Sequence, residues 1–475
     1  MTDELMSRPI AELADLIQRK KISPVELTQS AIERADRYDS TLKAFISRYD
    51  EDALIQAKAA EREVQRGQYR GRLHGIPLGI KDNFYISGKV TTMGSKIHKD
   101  FVPSYDAGII EKLAQSGAIF LGKMNMHEYA LGGTTDNPHF GTCKNPWDLN
   151  KTPGGSSGGS AVAVASKMAV AALGSDTSGS IRIPAAICGV VGLKPTYGRV
   201  SKYGCFPEAW TLDHVGPIAG TVADAAIMLD AISGHDDRDP TSLSLPATES
   251  YESLSTDVSN LVVGVEEDFF FADVDDEVAG IVWAGIDRLR KLGATIKPIK
   301  IPTLRNCVYA LSIIDTSETT TVHDSMLRSR PSDYGDDVRF LLECGALPSA
   351  VDYLQAQQIR RRIKLEFKEV FAGVDAIVAP SLPIKTPNIG ELTSTINGTN
   401  FDTIDSIIRL VGPANLVGLP SLSVPCGVLG GLPVGMQLIG RPLGEQEILN
   451  LGAAFESTEP LNGYQPTAFL QPSSH

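Results

Sequence analysis

The chain has no strongly basic segment. No cationic run is longer than Arg360-Arg361-Arg362, and the formal net charge over 475 residues is −13. A nucleic-acid surface concentrates Lys and Arg on one face, so no nucleic-acid partner is expected. No apolar stretch approaches the length needed to cross a bilayer. The opening Met1-Thr2-Asp3-Glu4 lacks the cationic flank and apolar core of a secretory signal. No membrane partner and a cytoplasmic location are the expectations. The six cysteines include no CxxC pair and several have apolar neighbours, which reads as buried free thiols in a reducing compartment. Asn397-Gly398-Thr399 matches a glycosylation sequon, which carries no meaning without a secretion route. His127-Glu128 lacks the second histidine of HExxH, and Gly158-Gly159 runs into Ser160-Ala161 where a Walker loop needs Gly-Lys-Ser/Thr. Ser178-Gly179-Ser180-Ile181-Arg182 does not form a GxSxG elbow around Ser180.

What is present suits a large folded enzyme. Apolar residues make up 42% and charged residues 21%, enough for a substantial core and too little charge for disorder. Ile10, Leu13, Leu16 and Ile17 share one helical face. Ser23-Pro24-Val25-Glu26 is a capping box with proline at the first helical position. Residues 50–66 predict a third helix, stopped at Gly67. These helices read as a layer wrapping the core, with a homodimer contact as the other reading. From about residue 73 short apolar runs alternate with Gly-rich turns and helical stretches. Strands are expected at Ile76–Ile80, Ala118–Leu121, Ala169–Leu173, Val190–Leu193, Leu261–Val265, Asp375–Ala379, Leu422–Pro425 and Val434–Ile439. A helix over 278–292 ends at Gly293, and 234–256 is a polar surface connection. The alternation predicts an α/β layered fold with a large, mostly buried sheet.

Two Gly/Ser clusters carry the chemistry. Thr152-Pro-Gly-Gly-Ser156-Ser157-Gly-Gly-Ser160 leads into an Ala-rich helix. Such a bend offers free N–H donors and tolerates unusual backbone angles. Gly174-Ser175-Asp176-Thr177-Ser178-Gly179-Ser180-Ile181-Arg182 lies between an expected strand and an expected helix. A serine on that turn can expose its hydroxyl while neighbouring N–H groups converge. Taken alone, each cluster is as readily a structural turn. No histidine stands near them in sequence as a partner. Lys81, ending Gly75-Ile76-Pro77-Leu78-Gly79-Ile80-Lys81-Asp82, could act as base if burial kept it neutral, although an arbitrary lysine is a solvated charge.

These segments, in this order, resemble the amidase signature family of Ser–cis-Ser–Lys hydrolases. Ser156 to Ser180 is 24 residues and Lys81 to Ser156 is 75, the family's arrangement. Val190–Arg199, Leu212–Pro217, Gly418–Gly427 and Gly431–Gly440 match as well. The resemblance implies an α/β fold with a large mixed central sheet covered by helices on both faces. It implies one amidase domain over 1–475, with a helical arm at 1–66, a signature core at 73–220 and a variable central region at 260–405 that shapes the substrate site. Carried over position by position, Ser180 is the nucleophile, Ser156 the relay serine after a cis peptide from Gly155, and Lys81 the base. Main-chain N–H groups of Thr177, Ser178, Gly179 and Ser180 form the oxyanion hole, and Ser157, Asp176 and Arg182 brace the site. One departure is Ser178-Gly179-Ser180, where the family usually has Gly-Gly-Ser. No metal or cofactor is implied.

The substrate is a small-molecule amide, anilide or related carbamate in the first reading. The second is the glutaminase subunit of a tRNA-dependent amidotransferase, which the N-terminal two-fifths resembles closely. Those subunits carry an Arg-Tyr-Asp-Gly stretch whose acid holds the glutamine amino group. Here the nearest run is Ser332-Asp333-Tyr334-Gly335, in another order, which favours the first reading. A third reading is a catalytically silent binding protein. The acyl pocket is expected from Met126–Leu131, Gly204–Trp210 and 307–345. Glu208 and Trp210 are either substrate selectors or parts of a structural turn with Trp210 buried. His323 and Arg328 read mainly as solvated helix-face residues.

Overall fold

The computed structural model describes residues 2–459 together with Leu461, Gln465 and Pro466. Thirteen strands occur among the described residues: Phe45–Arg48 (β1), Pro77–Lys81 (β2), Ile119–Met124 (β3), Ala171–Asp176 (β4), Val191–Lys194 (β5), His214–Ala219 (β6), Val262–Val265 (β7), Thr295–Pro298 (β8), Ala376–Pro380 (β9), Thr393–Ile396 (β10), Thr399–Asp402 (β11), Ser421–Leu429 (β12) and Leu432–Gly440 (β13). Eleven of them form one sheet in the order β1-β3-β2-β4-β6-β5-β12-β13-β9-β7-β8, and β10 pairs with β11 apart from it. The sheet is mixed: β2 runs parallel to β3 and β4, β7 runs parallel to β8 and β9, and the other pairs are antiparallel. In β2, β3, β4, β5, β6 and β9 every residue is buried. Successive side chains on a strand point to opposite faces, so both faces of the central strands are covered. Helices supply that cover, as the α/β reading expects.

All eight expected strands form, with bounds that differ by up to four residues. The shift matters at β4, which runs on through Ser175 and Asp176, so the second Gly/Ser cluster begins inside the sheet. Three sheet strands escape a pattern reading. β1 and β8 are short edge strands with mostly uncovered residues, and β6 carries Gly216-Pro217, a pair that argues against a central strand. The sequon at Asn397-Gly398 is the turn of the β10–β11 hairpin, with φ of 48° and 86° at the two residues. Positive φ at both positions is what a two-residue turn demands and what Asn-Gly accommodates.

The N-terminal helices wrap the core. Ile10, Leu13, Ala14 and Ile17 of the helix Ile10–Gln18 are buried within the chain. In the helix Pro24–Leu42 the Ser23 hydroxyl accepts from Val25 N at 2.9 Å, and Glu26 accepts from Ser23 N at 2.9 Å. Ser23→Ala is expected to cost about 1 kcal/mol of stability by leaving a helix-end donor unpaired, read as a lower midpoint in urea at unchanged slope. In the central region the helices Asp336–Gly345 and Ala350–Val370 both pack on the helix Cys307–Ser329. Among the described residues no helix is long and apolar enough to cross a membrane.

Candidate active site

Lys81 is the last residue of β2, and Ser180 lies four residues beyond the end of the parallel neighbour β4. Both therefore leave the sheet at the carboxyl ends of adjacent parallel strands, where α/β sheets open to ligands. Ser156 precedes the helix Gly158–Ala165, which packs on β4 and β2. The Gly155–Ser156 peptide is cis. His127 N and the Thr135 hydroxyl both donate to Ser156 O, at 3.1 and 3.4 Å, and the same hydroxyl accepts from Gly158 N at 3.0 Å. Ser157 N donates to Ser180 O at 3.2 Å. That bond ties the two Gly/Ser clusters together at the residues of interest.

Lys81 is fully buried. Its Nζ lies 2.7 Å from Ser156 Oγ, 2.8 Å from Ser175 Oγ and 3.5 Å from Ser175 O. Burial pulls its pKa down to about 8, against the opposing pull of Glu208. A neutral amine has two N–H groups and one lone pair. The two Ser175 oxygens can take the N–H groups, leaving the lone pair to face the Ser156 hydroxyl. Burial alone does not mark Lys81, because Lys123 and Lys194 are equally enclosed. Those two lysines spend their donors on the carbonyls of Phe84 and Leu419. Lys81 is the one of the three that meets hydroxyls.

Asp176 closes the back of the nucleophile turn. Its Oδ1 accepts from Gly179 N at 2.9 Å and its Oδ2 from Ile181 N at 3.1 Å. Arg182 clamps the same carboxylate with Nε and Nη2, each at 3.1 Å, both side chains being fully buried. Burial works to raise the Asp176 pKa, but the Arg182 guanidinium outweighs it and holds the carboxyl well below the usual range. Arg182 also reaches Asn415 Oδ1 at 2.5 Å, Val411 O at 2.8 Å and Gln437 Oε1 at 3.2 Å. The turn is thus fixed to residues more than 200 positions later. Gly179 has φ of 122°, and a Cβ there would collide with Val411 Cγ2, so no side chain fits.

Of the four N–H groups expected to converge, that of Gly179 is directed at Asp176. The N–H groups of Thr177, Ser178 and Ser180 make no hydrogen bond to another described residue, so they can receive a developing oxyanion. Ser178 fits without strain, and its hydroxyl donates to Asp315 Oδ2 at 2.6 Å. The Thr177 hydroxyl donates to Asp213 Oδ1 at 2.7 Å, and Asp213 also accepts from the main-chain N–H groups of Glu208 and Ala209. Asp213 thereby holds the loop 205–210 against the turn.

The three segments expected to shape the pocket do meet. Tyr129, Phe206 and His323 are mutual neighbours, with ring centroids 4.3 to 5.8 Å apart. His323 is buried rather than solvated: its Nδ1 lies 3.0 Å from Tyr334 Oη, and burial lowers its pKa to about 3. Arg328 is exposed and pairs with Asp324. Trp210 is 43% exposed, not a buried turn anchor, because Tyr197 Oη and Lys202 Nζ hold the backbone by its carbonyl and need nothing of the ring. Glu208 and Ala209 are the buried members of that stretch. Asp333 of the Ser332–Gly335 run pairs at the surface with Lys96 and Arg330. Sequence reasoning missed Ser175, Asn83, Asn415 and Gln437. Asn83 Nδ2 donates to Ser175 Oγ at 3.0 Å, and the position of Ser175 directly before Asp176, inside the second cluster, was a usable signal. It also missed two histidines that fold close by: His127 through its main chain, and His214 opposite Asp176 in the β4–β6 ladder. Neither ring has a hydrogen bond to the serines.

Comparison with known proteins agrees over nearly the whole chain. The family model described as Amidase matches residues 26–449. The A subunit of the glutamyl-tRNA(Gln) amidotransferase of Moorella thermoacetica is 39% identical, covering 94% of this chain and 96% of its own. Among solved structures, a chain from a vestigial protein complex tied to the evolutionary origins of an s-triazine catabolic enzyme superposes with a TM-score of 0.92 at 33% identity, covering 96% and 99% of the two chains. A bacterial aryl acylamidase superposes with a TM-score of 0.88 at 29% identity, covering 98% and 99%.

Proposed function

The chain belongs to the Amidase family, the amidase signature hydrolases that act on amide C–N bonds, and from that premise we propose that Ser180 is its nucleophile, Ser156 its proton relay and Lys81 its base. The observation that carries this reading is the buried Lys81 amine 2.7 Å from Ser156 Oγ, with Ser157 N bonded to Ser180 O. Neutral Lys81 accepts the Ser156 proton as Ser156 accepts that of Ser180. The freed Ser180 oxygen attacks the amide carbon, and the N–H groups of Thr177, Ser178 and Ser180 hold the oxyanion. As the C–N bond breaks, the relayed proton passes to the departing nitrogen. Water then resolves the acyl-enzyme by the reverse relay. Gly155, Ser157, Asp176, Gly179 and Arg182 position these groups.

The substrate we infer is a small-molecule amide, anilide or carbamate, hydrolysed by the chain acting alone in the cytoplasm. The segment 73–220 supplies the chemistry, and the central region 260–405 shapes the site through Asp315 and His323. The lack of an Arg-Tyr-Asp-Gly stretch supports this, since Asp333 of the nearest run, Ser332–Gly335, is engaged with Lys96 and Arg330. The likeness to a solved aryl acylamidase points the same way. A second reading, the glutaminase subunit of a tRNA-dependent amidotransferase, is favoured by the curated relatives bearing that name. Labelling with a fluorophosphonate, followed by peptide mass spectrometry, is expected to place the adduct on Ser180 and nowhere in Ser180→Ala. An unlabelled wild-type protein would mean a silent binding protein. Turnover of a panel of primary amides, anilides and carbamates then separates the first two readings, and release of ammonia from glutamine alone supports the second.

A further inference from the structure

Four carboxyl groups gather where the loop 205–213 and the helix Cys307–Ser329 meet the nucleophile turn. Two have structural partners. Asp213 accepts from Thr177 Oγ1, Glu208 N and Ala209 N. Glu318 accepts from Thr211 N and Oγ1 and from Tyr353 Oη, between 2.8 and 2.9 Å. The other two are incompletely used. Asp315 accepts only hydroxyls, from Ser178 at 2.6 Å and Thr319 at 3.3 Å. Glu208 is 5% exposed, and its Oε2 is buried with no hydrogen-bond partner. A buried carboxyl in that condition costs stability unless something pairs with it. The nearby cations do not serve: Lys81 is spent on hydroxyls, and Lys202 is held by Tyr197 Oη and the Trp210 carbonyl.

We propose that Glu208 and Asp315 form an ammonium-binding subsite beside Ser180, so that the amide substrate carries a primary amino group and no neighbouring carboxylate. The proposal rests on the amidase reading and names the substrate class for that site. An ammonium has three N–H donors and no acceptor, enough to meet Glu208 Oε2 and Asp315 together. Ser178 links this subsite to the chemistry, because the residue that grips Asp315 is two positions from the nucleophile. The place where the chain departs from the family's Gly-Gly-Ser is thus the place where it gains a contact to an acid. Each acid is held toward its neutral form, Glu208 by burial and by Asp315, and Asp315, at about 6, by burial. Glu208 is also the strongest charge influence on Lys81. Ionised alone, it would keep the lysine protonated and idle. A substrate ammonium offsets that field, so binding the cation and freeing the base become one event. A carboxylate beside the amine would meet the same acids as a repulsion.

The test uses the full-length Ser180→Ala protein, which binds without turnover, and three ligands that differ by one charge at a time. These are butyramide, γ-aminobutyramide and glutamine, titrated by calorimetry. γ-Aminobutyramide is expected to bind roughly ten to a hundred times tighter than butyramide, the range of a charge-assisted hydrogen bond, and tighter than glutamine. Adding Glu208→Gln or, independently, Asp315→Asn should bring that ratio close to one. Equal binding of butyramide and γ-aminobutyramide, tighter binding of glutamine, or no detectable binding of any of the three overturns the subsite. Fluorophosphonate labelling of the parent reports separately on the nucleophile, so a failed subsite and a failed amidase reading give different results.

Discussion

Lys81→Met is expected to lower kcat/KM by about three to four powers of ten while leaving the chain folded. A positioned proton acceptor contributes on the order of two to four powers of ten, and members of a relay fail together rather than additively. Methionine has a similar length, so stability should hold or rise: an amine whose charge is disfavoured by burial is replaced by a group with no charge to bury. Kinetics and folding thus move apart, which a structural role for Lys81 would not produce. The pH profile of the parent supplies the companion test. The amine is active when neutral, and its pKa is about 8. With a neutral amide substrate, parent kcat/KM should therefore rise with pH through a step near that value and then level. A flat profile between about pH 6 and 9, or a Lys81→Met enzyme with parental turnover, removes the base from the mechanism.

How far the sequence foretells this site depends on the range of each interaction. Local texture marks Lys81, Ser156 and Ser180 only as candidates, an apolar run ending in lysine and two Gly/Ser turns beside helices, and the resemblance to the amidase signature family selects them. Local texture reports candidate turns because such turns need special backbone. It does not report what holds them. Asn415 meets Asp176 across 239 residues of chain and Gln437 meets Arg182 across 255, and no periodicity links such pairs. The same limit hides Asp315, which looks like any helical acid until the fold sets it on Ser178. His323 departs from expectation because the helix Cys307–Ser329 carries polar residues all round yet buries a seam of them, including Glu318, Thr319 and His323. Trp210 departs in the other direction. Its backbone is fixed by two side chains that need only its carbonyl, so ring size says nothing about burial there. The strands follow the same rule. Those deep in the sheet are apolar at most positions and visible, except β6 with its Gly216-Pro217 pair, while β1 and β8 at the edges are short, half-exposed and silent.

Arg182→Met is expected to destabilise the protein by about 3–5 kcal/mol, the cost of leaving a buried carboxylate without its counter-charge. Asp176 would keep the N–H groups of Gly179 and Ile181 and the Asn415 amide, but these are dipoles and not a cation. The loss should appear as a lower urea midpoint. Turnover should fall as well, since Asp176 fixes the N–H groups on either side of Ser180 and would move to find new partners. The pH dependence of stability gives the sign of the effect independently. Asp176 is held below its unfolded value, near 4 for an aspartate. Its contribution is therefore fully present above that value and is lost as pH falls toward the folded one. In Arg182→Met the depression should disappear and the carboxyl should titrate upward. The difference in stability between parent and variant should then shrink as pH is lowered through the ordinary carboxylate range. A double variant, Asp176→Leu with Arg182→Met, removes both charges and should recover part of the stability but none of the turnover, because the buried carboxylate is gone while the N–H groups it aimed stay unaimed. Recovery of turnover in that variant would show that the pair serves packing alone.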